Sequence, residues 1–364
     1  MTMKKLIFKK VFTGTEWLNN QAISFENGKI AAMETGEGGD QNGFLCAGFI
    51  DLQVYGGGGL LFSNQQTTQA IQATFDEHIK TGTTHFQITL NCSPKVNMWR
   101  AIEASKNYQG NGLIGLHLEG PFFNPIRRGA HQEAFVQAPK LGFIEEIINQ
   151  TQGLPTYMTI APEMFSEHEL DRMIYSPLML SIGHSEASFE ETKSAIDAGI
   201  PRITHLFNAM SQWQSRALGI VGASFLSEAW TSIIVDGQHC DFDSVRLAKK
   251  LKGPKLFLIT DAVTHDESGP YFFSKKGDRF TNDQGTLSGS ALTMIQAIRN
   301  CVNQVGIPLD EALRMATLYP AEVVNRSHEI GSIGLGKKAC FVHLSDDLKV
   351  EQVWYDGQAM LTTK

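Results

Sequence analysis

Four polar residues stand where short apolar runs of strand length give out: Glu119 in GLIGLHLEGPF, His184 in LMLSIGHS, His205 in RITHLFNAM and Asp261 in KLFLITDA. A carboxylate and two imidazoles are ligands for a first-row divalent cation, and three such ligands leave a coordination position for water. A further carboxylate beside that water can take its proton and hand it to a departing group. Together the four suggest metal-assisted hydrolysis. Taken singly, each has an ordinary structural role: His184 satisfying a loop carbonyl, His205 ending a strand, Asp261 capping the segment that follows it. His117 lies two residues before Glu119 on the same strand face, and reads equally as a support for Glu119 or as part of the interior. His85 and His168 lack supporting context and read as structural or exposed.

Such residues have to be brought together by a scaffold, and the rest of the chain supplies one. AGFIDLQVY, TTHFQITL, the strand leading to Glu119, PTYMTIAP, LMLSIG, RITHLF, AWTSIIVDG and KLFLITD make eight strand candidates. Helical patterns over 66–80, 95–107, 142–150, 167–174, 188–198 and 242–251 separate most of them. Alternation at this spacing predicts a parallel sheet, and eight strands predict closure into a (β/α)8 barrel, whose active site lies at the C-terminal strand ends. Helices over 290–304 and 309–318 complete its wall. The region 121–139, with Pro121, Pro125, Gly129 and Pro139, reads as a long loop of the functional kind. Residues 266–286 read as a β-hairpin insertion, with turns at Gly269-Pro270 and Asp283-Gln284-Gly285. The two chain ends speak a different grammar. LIFKKVF, QAISFE and KIAAM at the front, and ACFVHL and VEQVWYDGQAML at the back, are short strands with hairpin turns. Neither end has enough strands to stand alone, so they are expected to pair into one small β-sandwich. The expected division is 1–45 and 330–364 for the small β domain and 46–329 for the barrel.

The bulk numbers permit this architecture and exclude others. A chain of 364 residues holds one barrel and a small companion domain. With 42% hydrophobic and 19% charged residues it has the composition of an ordinary globular protein. A net charge of −7 argues against a nucleic-acid partner, and any anionic substrate must be met by a local cationic pocket. Five scattered cysteines without a CxxC pair indicate neither a disulfide framework nor a cysteine zinc site. The opening MTMKKLIFKKVF has no apolar stretch long enough for a signal peptide, and no segment reaches transmembrane length. The expectation is a cytoplasmic protein with no membrane partner.

HLEGPF, RRGAH, GHSEA, THLFNAM, DGQH, TDA and TLSGSALTM occur in that order across residues 115–294. The ordered set resembles the signature of the N-acetylglucosamine-6-phosphate deacetylases of the amidohydrolase superfamily, and AGFIDLQ, YPAEVVN and GSIGLGKKA extend the resemblance over nearly the whole chain. It implies release of acetate from N-acetylglucosamine 6-phosphate to give glucosamine 6-phosphate. Glu119, His184 and His205 are then the ligands of one divalent metal per subunit, zinc foremost, with Fe2+, Co2+ or Mn2+ as alternatives. Asp261 becomes the proton shuttle. His131, in the long loop, becomes a donor to the acetyl carbonyl and to the oxyanion that forms from it. Arg216 and His239 match phosphate-binding positions, with Ala130 and the backbone around Asn208 and Ala209 beside them. Leu287, Ser288 and Gly289 match a substrate-lining segment. In the family part of the phosphate pocket comes from the neighbouring subunit, which implies a homodimer.

Three departures matter. The first barrel strand of many amidohydrolases ends in His-x-His, which holds a second metal, whereas this chain has Gln53-Val54-Tyr55. Gln53 is a neutral amide and Tyr55 would have to ionise to bind well, so one metal is expected, with Gln53 reaching water or substrate across the pocket. Cys340 follows Ala339 where the family often has Asp, which reads as a structural substitution. SQWQSRALG around Arg216 also differs from the commoner family wording. Two other readings stand beside the first: the same chemistry on an epimer such as N-acetylgalactosamine 6-phosphate, and a non-catalytic barrel that binds a phosphosugar.

Overall fold

The computed structural model of the protein describes residues 4–36, 38–39, 42–276, 279–281 and 287–360. Two compact units make up the chain: one is Met1–Asp51, Phe75–His85 and Thr293–Lys364, the other Leu52–Thr74 and Phe86–Leu292.

Eight parallel strands form the barrel in chain order: Phe49–Val54, Thr83–Leu90, Leu113–Glu119, Thr156–Ile160, Met179–Ile182, Arg202–Ile203, Trp230–Ile233 and Leu256–Leu258. The first and second are buried at every position, and the third at all but its first residue, which is why they read as continuous apolar runs rather than as alternating ones. The ring closes beyond the end of the eighth strand. There Val54 bridges Ala262, the Asp261 N–H donates to the Gln53 carbonyl at 3.0 Å, and the Tyr55 N–H donates to the Ala262 carbonyl at 2.9 Å.

Helices separate the strands, and two of them start on a reciprocal cap. Ser166 with Glu169 opens Glu167–Ile174, and Ser188 with Glu191 opens Phe189–Ala198. Each cap satisfies otherwise orphaned N–H groups, worth about 1 kcal/mol. One helix, Gly219–Phe225, has no counterpart in the sequence reading. GIVGASF carries two glycines and is buried on all sides, so it shows neither helix propensity nor an amphipathic stripe. The helix expected over 290–304 runs as α-helix from Met294 to Asn300 and then widens into a π turn over Cys301–Val305.

The chain ends share one seven-stranded sheet. Phe44–Ala47 is its joint, lying parallel to Lys4–Phe12 (Val11 opposite Leu45) and antiparallel to Phe341–Leu344 (Phe341 opposite Ala47). Phe8, Val11, Ile23, Phe25, Leu45, Ala339 and Phe341 pack into a single core over it. A one-residue slip at this joint would turn that apolar set to solvent, so the core pins the register.

The insertion after the eighth strand is a small antiparallel sheet in which Ser274–Lys276 pairs with Arg279–Thr281, and that strand with Leu287–Ser290. The turn expected at Asp283-Gln284-Gly285 lies outside the described residues. Tyr271, Phe273 and Phe280 from this insertion pack with Tyr55, Leu61 and Val263. Among the described residues no helix is long and apolar enough to cross a membrane.

Candidate active site

Glu119 is the last residue of the third strand, and its carboxylate is buried at the C-terminal mouth of the barrel. His184 and His205 each sit two residues beyond the ends of the fifth and sixth strands, and Asp261 three beyond the eighth. All three of these adopt left-handed backbone, with φ of 51°, 36° and 57°. L-residues visit that region at a cost, and His and Asp are among the types that tolerate it best. The turns stand within three residues of the strand ends, and the sixth strand is only two residues long. Such clustered strain is a common mark of functional sites.

The side chains converge closely. Glu119 Oε1 lies 3.2 Å from His184 Nε2 and 3.2 Å from His205 Nε2, and the two imidazole nitrogens are 3.0 Å apart. Donor atoms around a tetrahedral ion with bonds of 2.0–2.1 Å stand about 3.3 Å from one another, so the trio matches that spacing. His184 Nδ1 is 2.9 Å from the Arg127 carbonyl, which fixes its proton there and leaves the Nε2 lone pair facing inward.

Glu119, His131 and His184 also offer ligand atoms within 4.8 Å of one another. The hydrogen bonds decide between His131 and His205. The Cys92 N–H donates to His131 Nδ1 at 3.2 Å, so a neutral His131 carries its proton on Nε2, the nitrogen that faces Glu119 Oε2 at 3.1 Å. A protonated nitrogen has no lone pair for a metal and is a hydrogen-bond donor instead. The residues that fit a cation are therefore Glu119, His184 and His205, with His131 as the adjacent donor.

The electrostatics agree. Burial alone would push the Glu119 carboxyl up, but the imidazoles of His131 and His184 packed around it hold it well below the usual carboxylate range. Burial lowers His184 to about 4 despite Glu119, so it is neutral and able to ligate. Burial opposes charge on His205 too, yet its bond to Glu119 and the nearby Asp261 raise it. Burial lifts Asp261 to about 6; His239 pulls the other way, and Glu119 adds to the lift.

A cavity of about 230 Å3 opens over these groups. Of the expected site residues, Glu119, Ala130, His131, His184, His205, Asn208, Ala209, His239, Asp261, Ser288 and Gly289 line it. Leu287 begins the strand that carries Ser288 and Gly289. Gln53 lies just beneath instead, its amide nitrogen 3.0 Å from Glu119 Oε1, 2.8 Å from Asp261 Oδ1 and 2.8 Å from the Tyr55 hydroxyl. Arg216 is placed elsewhere: it is exposed and lines a neighbouring groove with Arg127, Glu186 and Ser211. His117 bonds Thr159 Oγ1 at 2.8 Å inside the barrel, and burial lowers it to about 4, as befits a neutral interior group. His85 is buried and His168 exposed.

Several wall residues were not singled out from sequence. Asn91, Ile234, Val263 and Phe273 are among them, and Tyr55, read from sequence only as a poor metal ligand, donates to Glu119 Oε2. Asp236 accepts from His239 Nδ1 at 2.7 Å and from two backbone N–H groups, which directs His239 Nε2 toward Asp261 Oδ2, 3.9 Å away. The DGQH spacing was the available signal for that pair, because an Asp three residues before a His in a tight turn can bond it.

The sequence profile of the amidohydrolase family matches residues 44–360. The chain is 34% identical over 314 residues to an N-acetylglucosamine-6-phosphate deacetylase of Haemophilus influenzae, covering 82% of each protein. It is 36% identical over 335 residues to an N-acetylgalactosamine-6-phosphate deacetylase of a Shewanella species, covering 88% of this chain and 84% of that one. The crystal structure of N-acetylglucosamine-6-phosphate deacetylase from Pasteurella multocida superposes with a TM-score of 0.92 at 31% identity, over 99% of this chain and 100% of the other.

Proposed function

Because the chain belongs to the amidohydrolase family, we propose that it hydrolyses the acetamide of N-acetylglucosamine 6-phosphate to glucosamine 6-phosphate and acetate. The observation that carries the reading is the position of Asp261. It is a buried carboxylate lifted to about 6, on the wall of the same cavity as a Glu and two His with the spacing of metal ligands. A non-catalytic sugar-binding barrel has no use for that pairing.

Glu119, His184 and His205 would hold one divalent cation, zinc in the first instance. When bound, that ion lowers the pKa of water and polarises the carbonyl. The chain's own groups supply the rest. Asp261 takes the proton of the attacking water as the new C–O bond forms. His131 donates its Nε2–H to the carbonyl oxygen as charge develops there. Asp261 then gives its proton to the amide nitrogen as the C–N bond breaks, so glucosamine 6-phosphate leaves as an amine and acetate as the acid product. His239, held by Asp236, is the side-chain donor on the cavity wall for phosphate, with Asn208 and Ala209 lining the wall beside it.

Arg216 fits the phosphate role only in another way. It stands on an exposed groove outside its own cavity, so we infer that it reaches the substrate of a neighbouring copy in a homodimer.

The glucosamine epimer is favoured by the Haemophilus and Pasteurella relatives, and the galactosamine epimer by the Shewanella one. Acetate release should be measured from both 6-phosphates and from unphosphorylated N-acetylglucosamine, with and without chelator. Chelator-sensitive turnover, with kcat/KM highest for the glucosamine 6-phosphate, supports the reading. Preference for the epimer moves the substrate assignment, and no release from any of them overturns it.

A further inference from the structure

The insertion after the eighth strand sends one side chain to the back of the site. Tyr271 is 3% exposed, and its hydroxyl meets a backbone group beside the site. It donates to the Cys92 carbonyl. The residue is set for this by Asn64, whose side-chain amide donates to the Tyr271 carbonyl at 2.8 Å and accepts from its N–H at 3.2 Å. The Gln132 side chain donates to the Pro270 carbonyl at 3.0 Å.

Cys92 and Gln132 are the two residues that bracket His131. Gln132 follows it in sequence, and the Cys92 N–H is the partner of its Nδ1. Tyr271 through its hydroxyl, and Pro270 before it through its carbonyl, therefore join the strand-two loop that chooses the His131 tautomer to the long loop that carries His131.

We propose that Tyr271 is a positioning residue. By anchoring the Cys92 peptide to the insertion that Gln132 also grips, it keeps His131 Nδ1 in its acceptor role, so that the proton stays on Nε2, on the cavity side. The inference rests on the deacetylase reading for its kinetic consequence, since only a reaction that builds charge on a carbonyl oxygen needs that donor. Tautomer choice is set by the partner of the other ring nitrogen, so losing the tie loosens the choice.

The test is Tyr271→Phe, which keeps the ring and removes the hydroxyl, in the full-length, zinc-loaded protein. With histidine labelled in the ring by 15N, and the His131 signals assigned through His131→Gln, the wild type should show protonated Nε2 and bare Nδ1. In Tyr271→Phe the two shifts should move toward each other. The kcat should fall about tenfold, part of the loss seen when an oxyanion donor is removed outright, with KM within about twofold. A wild-type His131 protonated on Nδ1 overturns the proposal. So does a variant with unchanged His131 shifts, even with a raised KM, because Tyr271 would then merely hold the loop. The tautomer is read without substrate, so a wild type that releases no acetate sinks the assigned reaction while the tie is still decided by the shifts.

Discussion

Gln53 and Asp261 meet twice: the Gln53 carbonyl accepts the Asp261 N–H at 3.0 Å, and the Gln53 side chain donates to Asp261 Oδ1 at 2.8 Å. The first contact closes the barrel, and the second stabilises a carboxylate that burial would otherwise neutralise. The seam of the fold thus tunes the residue assigned to move protons.

That link gives a pH signature. Asp261 must be ionised to take a proton, and its pKa stands at about 6, raised by burial and by Glu119. kcat/KM should therefore be flat above that value and fall tenfold per unit below it. Gln53→Leu removes a donor to the charged form, so the acid limb should move to higher pH. A limb that stays in place shows that Gln53 does not tune Asp261.

Asp261→Asn should lower turnover by a factor of about 10²–10⁴ with metal retained. It should also stabilise the chelator-treated chain at pH 7.5. The folded pKa lies above the ordinary 3.8, so the folded state binds more protons between 3.8 and about 6. Stability accordingly declines as pH rises through that window and stays lower above it. Thermal melts of both proteins check this, and a lower Tm for the variant at pH 7.5 contradicts it.

Metal content should be one equivalent per subunit. The amide of Gln53 points hydrogen at both carboxylates, where a second cation would have to sit, and Tyr55 spends its hydroxyl proton on Glu119. Elemental analysis after dialysis against zinc settles the count. Two retained equivalents, with activity depending on the second, would overturn it.

Arg216 acting in trans predicts complementation. Arg216→Ala should raise KM for the phosphorylated sugar and leave unphosphorylated N-acetylglucosamine nearly unaffected. Mixed with Asp261→Asn subunits by unfolding and refolding together, it should regain about a quarter of wild-type activity, because half the dimers are mixed and each has one intact site. No gain over the separate variants would place Arg216 at its own subunit's site or at none.

The parts of this fold that were legible are those encoded locally. Thr83–Leu90, Lys95–Asn107 and Glu167–Ile174 fall where apolar runs and helical periodicity put them. The convergence of Glu119, His184, His205 and Asp261 on one cavity was legible because each stands at or just past the end of a barrel strand. Gly219–Phe225 was hidden because a helix buried on all sides has no stripe. The contacts of Tyr55 and Tyr271 were hidden because their partners come from other segments: Tyr271 stands 179 positions from Cys92, a pairing that no local pattern carries. Arg216 was recognisable by type and motif, but its place outside its own cavity is a tertiary fact.

The left-handed turns at His184, His205 and Asp261 make alanine a biased probe here. An alanine at any of them must hold a backbone shape that costs an ordinary L-residue about 1–2 kcal/mol, with no polar side chain to ease it. A truncation scan would mix lost chemistry with a reshaped rim, and would count as catalytic what is partly conformational. Asparagine tolerates that shape and approximates all three side chains in size, so it separates the two. The same constraint bears on grafting: copying these side chains onto another barrel without their turns would aim them along the strands instead of across the mouth.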